Sequence, residues 1–88
     1  MTTFQARALR TWLIDRIAYY LECESALINP TRSLADYGLD SVLALTLCGD
    51  LEDRLGIRLE PTVVWDHPTV DELVAHCAGV VPADRGTV

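Results

Sequence analysis

Gly38-Leu39-Asp40-Ser41-Val42-Leu43-Ala44-Leu45-Thr46-Leu47-Cys48-Gly49-Asp50-Leu51-Glu52-Asp53-Arg54-Leu55-Gly56 is the stretch that sets the fold. Ala44, Leu47, Cys48, Leu51 and Leu55 fall at i, i+3, i+4, i+7 and i+11, one apolar face of an α-helix. Asp40 or Ser41 suits the N-cap, and Gly56 suits the stop. The spacing predicts a helix from Ser41 to about Leu55. Some apolar residues miss the stripe. At about 100° per residue, Val42 and Leu45 lie more than a quarter-turn from its centre, and Leu43 falls on the opposite side. An exposed apolar cluster at one helix end marks a contact surface. The alternative is that the preceding loop covers it.

Working outward, residues 23 to 40 read as a long loop. Asn29-Pro30 breaks any helix there, Ile28 and Leu34 are its expected core anchors, and Ser33 to Tyr37 suits one short turn ended by Gly38. Before the loop, Leu9, Leu13, Ile17, Tyr20 and Leu21 make a second helical face. They predict a helix from about Phe4 to Glu22, with Trp12 and Tyr19 at its edges. After Gly56, Ile57 and Leu59 alternate with polar residues along an extended link. Thr62 to Trp65 is long enough for one helical turn, and His67-Pro68 breaks the chain again. Thr69-x-x-Glu72 reads as a capping box that starts a last helix, with Val70, Leu73, Val74 and Cys77 on its buried face. The expected fold is all-α: a small antiparallel four-helix bundle of three main helices and one short one. Residues 1–81 make the domain, and residues 82–88 read as a flexible C-terminal tail.

Composition narrows the function. With 88 residues there is room for one small domain and little room for a deep cleft. Half the residues are apolar, which supports a packed core, and no apolar run is long enough to span a membrane. The net charge of −6 is uneven: residues 1–35 carry four Arg against three acids, and residues 36–88 carry three Arg against ten. The acidic part repels nucleic acid and anionic lipid and attracts basic protein surfaces. Cys23, Cys48 and Cys77 show no paired spacing, so each reads as a small buried hydrophobe of a cytoplasmic protein. Met1 just before the first helix, with a short tail after the last, suits a free-standing protein, although a module cut from a larger chain looks the same; the lone domain is expected to be a monomer.

Ser41 stands at the start of the central helix. Unpaired backbone N–H groups and the helix dipole favour a phosphate there, although a plain cap by Asp40 or Ser41 explains the same residues.

The segment Gly38-Leu39-Asp40-Ser41-Val42 resembles the phosphopantetheine attachment motif of acyl carrier proteins. Leu47, Leu51, Leu55-Gly56-Ile57 and Leu59 are similar to that family's second helix and following link. Thr62-Val63-Val64-Trp65-Asp66-His67-Pro68-Thr69-Val70 is similar to the "T-x-x-F-D-H-P-T" segment of carrier domains of the polyketide synthase type. Ile28-Asn29-Pro30 and Leu34-Ala35-Asp36-Tyr37-Gly38 resemble the usual approach to the serine. The spacing agrees from about Leu13 to Cys77. Trp65 replaces the usual Phe, Cys48 and Gly49 replace a frequent Arg and Asn, Glu60 replaces a common Pro, and Thr46 replaces a frequent Glu.

The resemblance implies a non-catalytic carrier that holds acyl intermediates as thioesters on a 4′-phosphopantetheine arm attached to Ser41. It implies a separate phosphopantetheinyl transferase drawing on coenzyme A. It also implies acyl-loading, ketosynthase or other acyl-processing partners in polyketide or related secondary-metabolite biosynthesis. Asp40 matches the acidic residue that helps the transferase dock. Val42, Leu43 and Leu45 match the apolar part of the partner surface, with Asp50, Glu52 and Asp53 as its acidic rim. An aminoacyl or aryl carrier of a peptide-type pathway stays open, with Asp rather than His before the serine against it. A hydrolase built on Ser41 with His67 or His76 lacks a G-x-S-x-G elbow. Metal binding by the Cys and His residues lacks ligand spacing.

Overall fold

α1 (Thr3–Leu21) begins at Thr2, whose side chain accepts the Gln5 amide at 3.1 Å while Gln5 Oε1 accepts the Thr2 amide at 2.8 Å. This reciprocal cap fixes the first turn. Leu9, Leu13 and Ile17 enter the core as the periodicity requires, joined by Ala18. Tyr20 and Leu21 are only partly buried against it. The helix ends on Glu22 in the left-handed region, φ 55°, and the Cys23 amide closes back on the Ala18 carbonyl at 3.0 Å. The computed structural model describes residues 1–81. The expected flexible tail, 82–88, lies outside the described residues.

The connection from Glu22 to Asp40 is shaped by two 3-10 turns, Ser25–Leu27 and Leu34–Tyr37. The second is the expected one. The first, which leaves Leu27 exposed, has no periodic signal in so short a span. Ile28 and Leu34 anchor the loop as expected, and Leu39 is a third buried anchor. Two backbone bonds tie the loop to a segment distant in sequence: the Leu34 amide donates to the Pro68 carbonyl at 2.8 Å, and the Asp71 amide donates to the Pro30 carbonyl at 3.0 Å.

α2 (Ser41–Leu55) buries Ala44, Leu47, Cys48 and Leu51, while Leu55 stays partly buried. It ends at Gly56 with φ 64°, a conformation that costs glycine least. α3 (Val63–Asp66) is one turn, a residue later than expected, and buries Val63 and Val64. α4 (Val70–Val80) starts from Thr69, whose hydroxyl accepts the Glu72 amide at 3.1 Å. Only this half of the expected capping box forms; the Glu72 side chain makes no return bond. Val70, Leu73 and Cys77 go into the core.

Cross-ties give the helix directions. Near the end of α1, Arg16 and Tyr20 meet Asp50, whereas Trp12, earlier in α1, lies under the guanidinium of Arg54, later in α2. Contacts that fall along one helix as they rise along the other mean that α1 and α2 run antiparallel. The result is the expected all-α four-helix bundle around one core. Burying each of its large aliphatic side chains is worth about 1.5–3 kcal/mol.

Candidate functional site

The site is the first turn of α2 and the surface beside it. Leu39 is buried, and two residues later Ser41 is exposed. Gly38, at φ 86°, makes the turn between the preceding 3-10 turn and this segment. Its backbone is in a region that side-chain-bearing residues rarely adopt. Asp40 is extended, φ −101° and ψ 179°, and its Oδ1 accepts the Leu43 amide at 2.8 Å. Asp40 is therefore the cap, and this settles which residue of the Asp40-Ser41 pair does that work. Among the described residues Ser41 Oγ has no hydrogen-bond partner. The Ser41 and Val42 amides, the other open donors of this terminus, point past the end of the helix without a carbonyl to meet. An exposed, unpartnered hydroxyl next to open N–H donors can take a phosphoryl group without breaking any bond of the fold.

The three apolar residues after Ser41 do not behave alike. Val42 is 71% exposed and Leu45 57% exposed. Leu43, expected beside them, is half-buried and packs against the core. Buried Leu39 lies two residues before the helix start, and Leu43 packs against the same core. Helical-wheel angles measured from the stripe cannot register that. The exposed residues of α2 are thus Ser41, Val42, Leu45, Thr46, Asp53 and Arg54, with Thr46 Oγ1 donating to the Val42 carbonyl at 2.9 Å.

The acidic residues expected to rim this surface are also sorted. Asp50 is held inside the α1–α2 contact: Arg16 Nε donates to it at 3.0 Å, and the Tyr20 hydroxyl donates to the same oxygen. Burial opposes its charge, but these two bonds and the Arg16 charge outweigh that and hold the carboxyl below its usual range. The bond to Asp50, with burial, pushes the Tyr20 phenol up. Glu52 accepts the Leu59 amide at 2.8 Å and so fastens the link between α2 and α3. Only Asp53 is exposed without such a bond among the described residues. A sequence shows the acids but not these distant partners.

The remaining chemistry-bearing residues do not converge on Ser41. His67 and His76 stack on each other, ring centroids 4.1 Å apart, and neither bonds to the serine, so no catalytic triad is assembled. Cys48 and Cys77 are buried, and burial together with the neighbouring Cys48 pushes the Cys77 thiol up to about 11. Among the described residues no cluster of three His, Cys, Asp or Glu is placed to hold a metal ion, and no helix is long and apolar enough to cross a membrane.

The model of the phosphopantetheine attachment site family matches residues 11–77, the segment that contains α2 and its cap. The chain belongs to this family. This carrier domain is 39% identical over 75 residues to a phenolphthiocerol/phthiocerol polyketide synthase chain of Mycobacterium tuberculosis, covering 85% of the domain sequence and 4% of that protein. It thus spans only a small part of the curated relatives it matches. Among solved structures, a free-standing peptidyl carrier protein of Acinetobacter baumannii superposes with a TM-score of 0.80 at 34% identity, covering 84% of this chain and 92% of that one. Acyl carrier protein LipD of Actinoplanes friuliensis superposes with a TM-score of 0.71 at 41% identity, covering 89% and 87%. The cofactor of the family is a covalently attached 4′-phosphopantetheine, and its role is to carry, not to catalyse.

Proposed function

We propose that Ser41 is the attachment residue and that the chain delivers acyl intermediates to partner enzymes of polyketide-type biosynthesis. The observation that carries this reading is the division of labour at the start of α2. Asp40 satisfies the helix end, which leaves the Ser41 hydroxyl exposed and unpartnered inside the family segment.

In the proposed modification a separate transferase binds coenzyme A. Ser41 Oγ attacks the pyrophosphate at the phosphorus that bears the pantetheine. The hydroxyl proton leaves, an O–P bond forms, and adenosine 3′,5′-bisphosphate departs. When bound, the arm supplies a terminal thiol that holds the acyl group as a thioester. The chain's own contribution is positional. The open Ser41 and Val42 amides would favour a phosphodiester's charge at this helix end, and the Asp40 carboxylate would oppose a tight grip on the anion. The arm is thereby left free to swing, and its tether keeps the cargo at high local concentration for linked partners.

Incubation with coenzyme A and a broad-specificity phosphopantetheinyl transferase tests the site. Intact-mass spectrometry is expected to show the gain of one phosphopantetheine, abolished in Ser41→Ala. No gain, or a gain that survives the substitution, overturns the assignment. Offering acyl-loading and aminoacyl-loading enzymes to the loaded protein then separates an acyl carrier from an aminoacyl or aryl carrier. Asp40 before the serine supports the first.

A further inference from the structure

Resting on the reading of Ser41 as the attachment residue, we infer that Tyr37 is a positioning residue for the modification of Ser41: its hydroxyl clasps the Asn29 amide and so fixes the turn from which Ser41 is presented. The Ser41 hydroxyl has no bond of its own to place it among the described residues. Its position is set by the chain that leads to it. Gly38, at φ 86°, is a backbone position of wide conformational freedom, and a Cβ built there meets nothing within 4 Å. A turn of this kind keeps one shape when both of its sides are held. On the side of Ser41, Leu39 is seated in the core and Asp40 caps α2. On the other side stands Tyr37, the last residue of the second 3-10 turn.

Three contacts hold Tyr37. Its side chain is half-buried against the core. The Arg32 guanidinium lies over its ring, 5.3 Å from the centre, while Arg32 Nε donates to Asp36 at 3.4 Å. Its hydroxyl accepts the Asn29 amide at 2.8 Å, eight residues back along the chain. Asn29 is itself fixed, because its Oδ1 accepts the Thr31 amide at 2.9 Å and the Thr31 hydroxyl at 2.8 Å. The backbone bonds from Asp36 to Ser33 and from Gly38 to Ala35 are local to the second turn and do not reach Asn29. The hydroxyl bond is what joins the two. A phenylalanine at this position keeps the packing and loses only the acceptor. Without the bond, a smaller fraction of chains holds the turn in the shape a transferase binds, and the apparent affinity falls by that fraction.

The test measures transfer from coenzyme A by a broad-specificity phosphopantetheinyl transferase to the full chain, as wild type, Tyr37→Phe and Thr2→Ala. Thr2→Ala breaks the cap at the start of α1 and costs comparable stability away from this loop. Tyr37→Phe is expected to lower kcat/KM about fivefold, through KM with little change in kcat, while Thr2→Ala stays within about 1.5-fold of wild type. Exchange of the Asn29 amide with solvent, followed by NMR, is expected to speed up about fivefold in Tyr37→Phe. A Tyr37→Phe chain that reacts like wild type overturns the inference, because the hydroxyl then has no part in presenting Ser41. An equal loss in Thr2→Ala overturns it in favour of stability as the cause. An Asn29 amide that exchanges in the wild type as fast as in an unstructured peptide overturns it whether or not Tyr37→Phe folds. Failure of the wild-type chain to gain mass at all overturns instead the assignment of Ser41, so the two failures are distinguishable.

Discussion

The two halves of α2 use their residues in opposite ways. In the first half, apolar Val42 and Leu45 stand in solvent and the polar Ser41 is left without a partner. In the second half, the acids Asp50 and Glu52 are drawn into bonds that hold α1 and the α2–α3 link in place. Residues that look like core are surface at one end, and residues that look like surface are structure at the other. The comparison teaches that on a helix of a small carrier, residue type alone does not separate what folds the chain from what the chain presents.

The largest expected effect is at the exposed end. Ser41→Ala is expected to remove all phosphopantetheine gain while leaving the thermal midpoint within the range of a neutral surface change, about 0.5 kcal/mol. A melting midpoint that drops sharply breaks the comparison, because Ser41 then belongs to the fold. Next comes a pair on one helix. Leu51→Ala, fully buried, is expected to cost about 2–5 kcal/mol in chemical denaturation, whereas Leu45→Ala is expected to stay within about 0.5 kcal/mol. Equal losses at both positions would merge the two faces.

Asp50→Asn sharpens the structural half. Losing charge-assisted bonds that are only partly buried is expected to cost about 1–2 kcal/mol at neutral pH. The folded carboxyl titrates below its unfolded value, so its contribution is present above about pH 4 and fades as pH falls through the lowered value. Denaturation of wild type and variant across that range should therefore converge in acid, and a constant gap would remove Asp50's charge as the cause. The smallest effect is at the cap. Asp40→Ala is expected to cost about 1 kcal/mol and Asp40→Asn much less, because Asn still accepts the Leu43 amide. Parallel urea titrations of the two variants check this.

Much of this is legible in the sequence because it is local. The stripe from Ala44 to Leu51, the stop at Gly56, the turn before Gly38 and the Thr69 cap all follow from spacing within a few residues. The Thr2–Gln5 cap is equally local and carries a recognisable pattern, but apolar Phe4 draws the expected start of the helix inward and hides it. Ala18 escapes because a small residue in a helix seam has little hydropathy to announce it. The fates of Asp50, Glu52 and Leu43 are not legible. Their partners or surroundings come from α1, from the α2–α3 link and from the placement of Leu39, and a helical wheel holds none of these.

The bonds from Leu34 to Pro68 and from Asp71 to Pro30 have a consequence for the chain as a polymer. By contour the connection between α1 and α2 is a single long loop. Pinned at Pro30 and Leu34, it becomes two shorter arcs, with Ile28 and Leu39 seated in the core on either side. Once the pins form, each arc closes over only a few residues, and the entropy of closing it depends on that shorter length. The two donating amides, of Leu34 and Asp71, should exchange with solvent late, together with the core helices, and those at the apex of each arc early. The segment leading into Ser41 then behaves as a short stiff strap, and α2 starts from a fixed point.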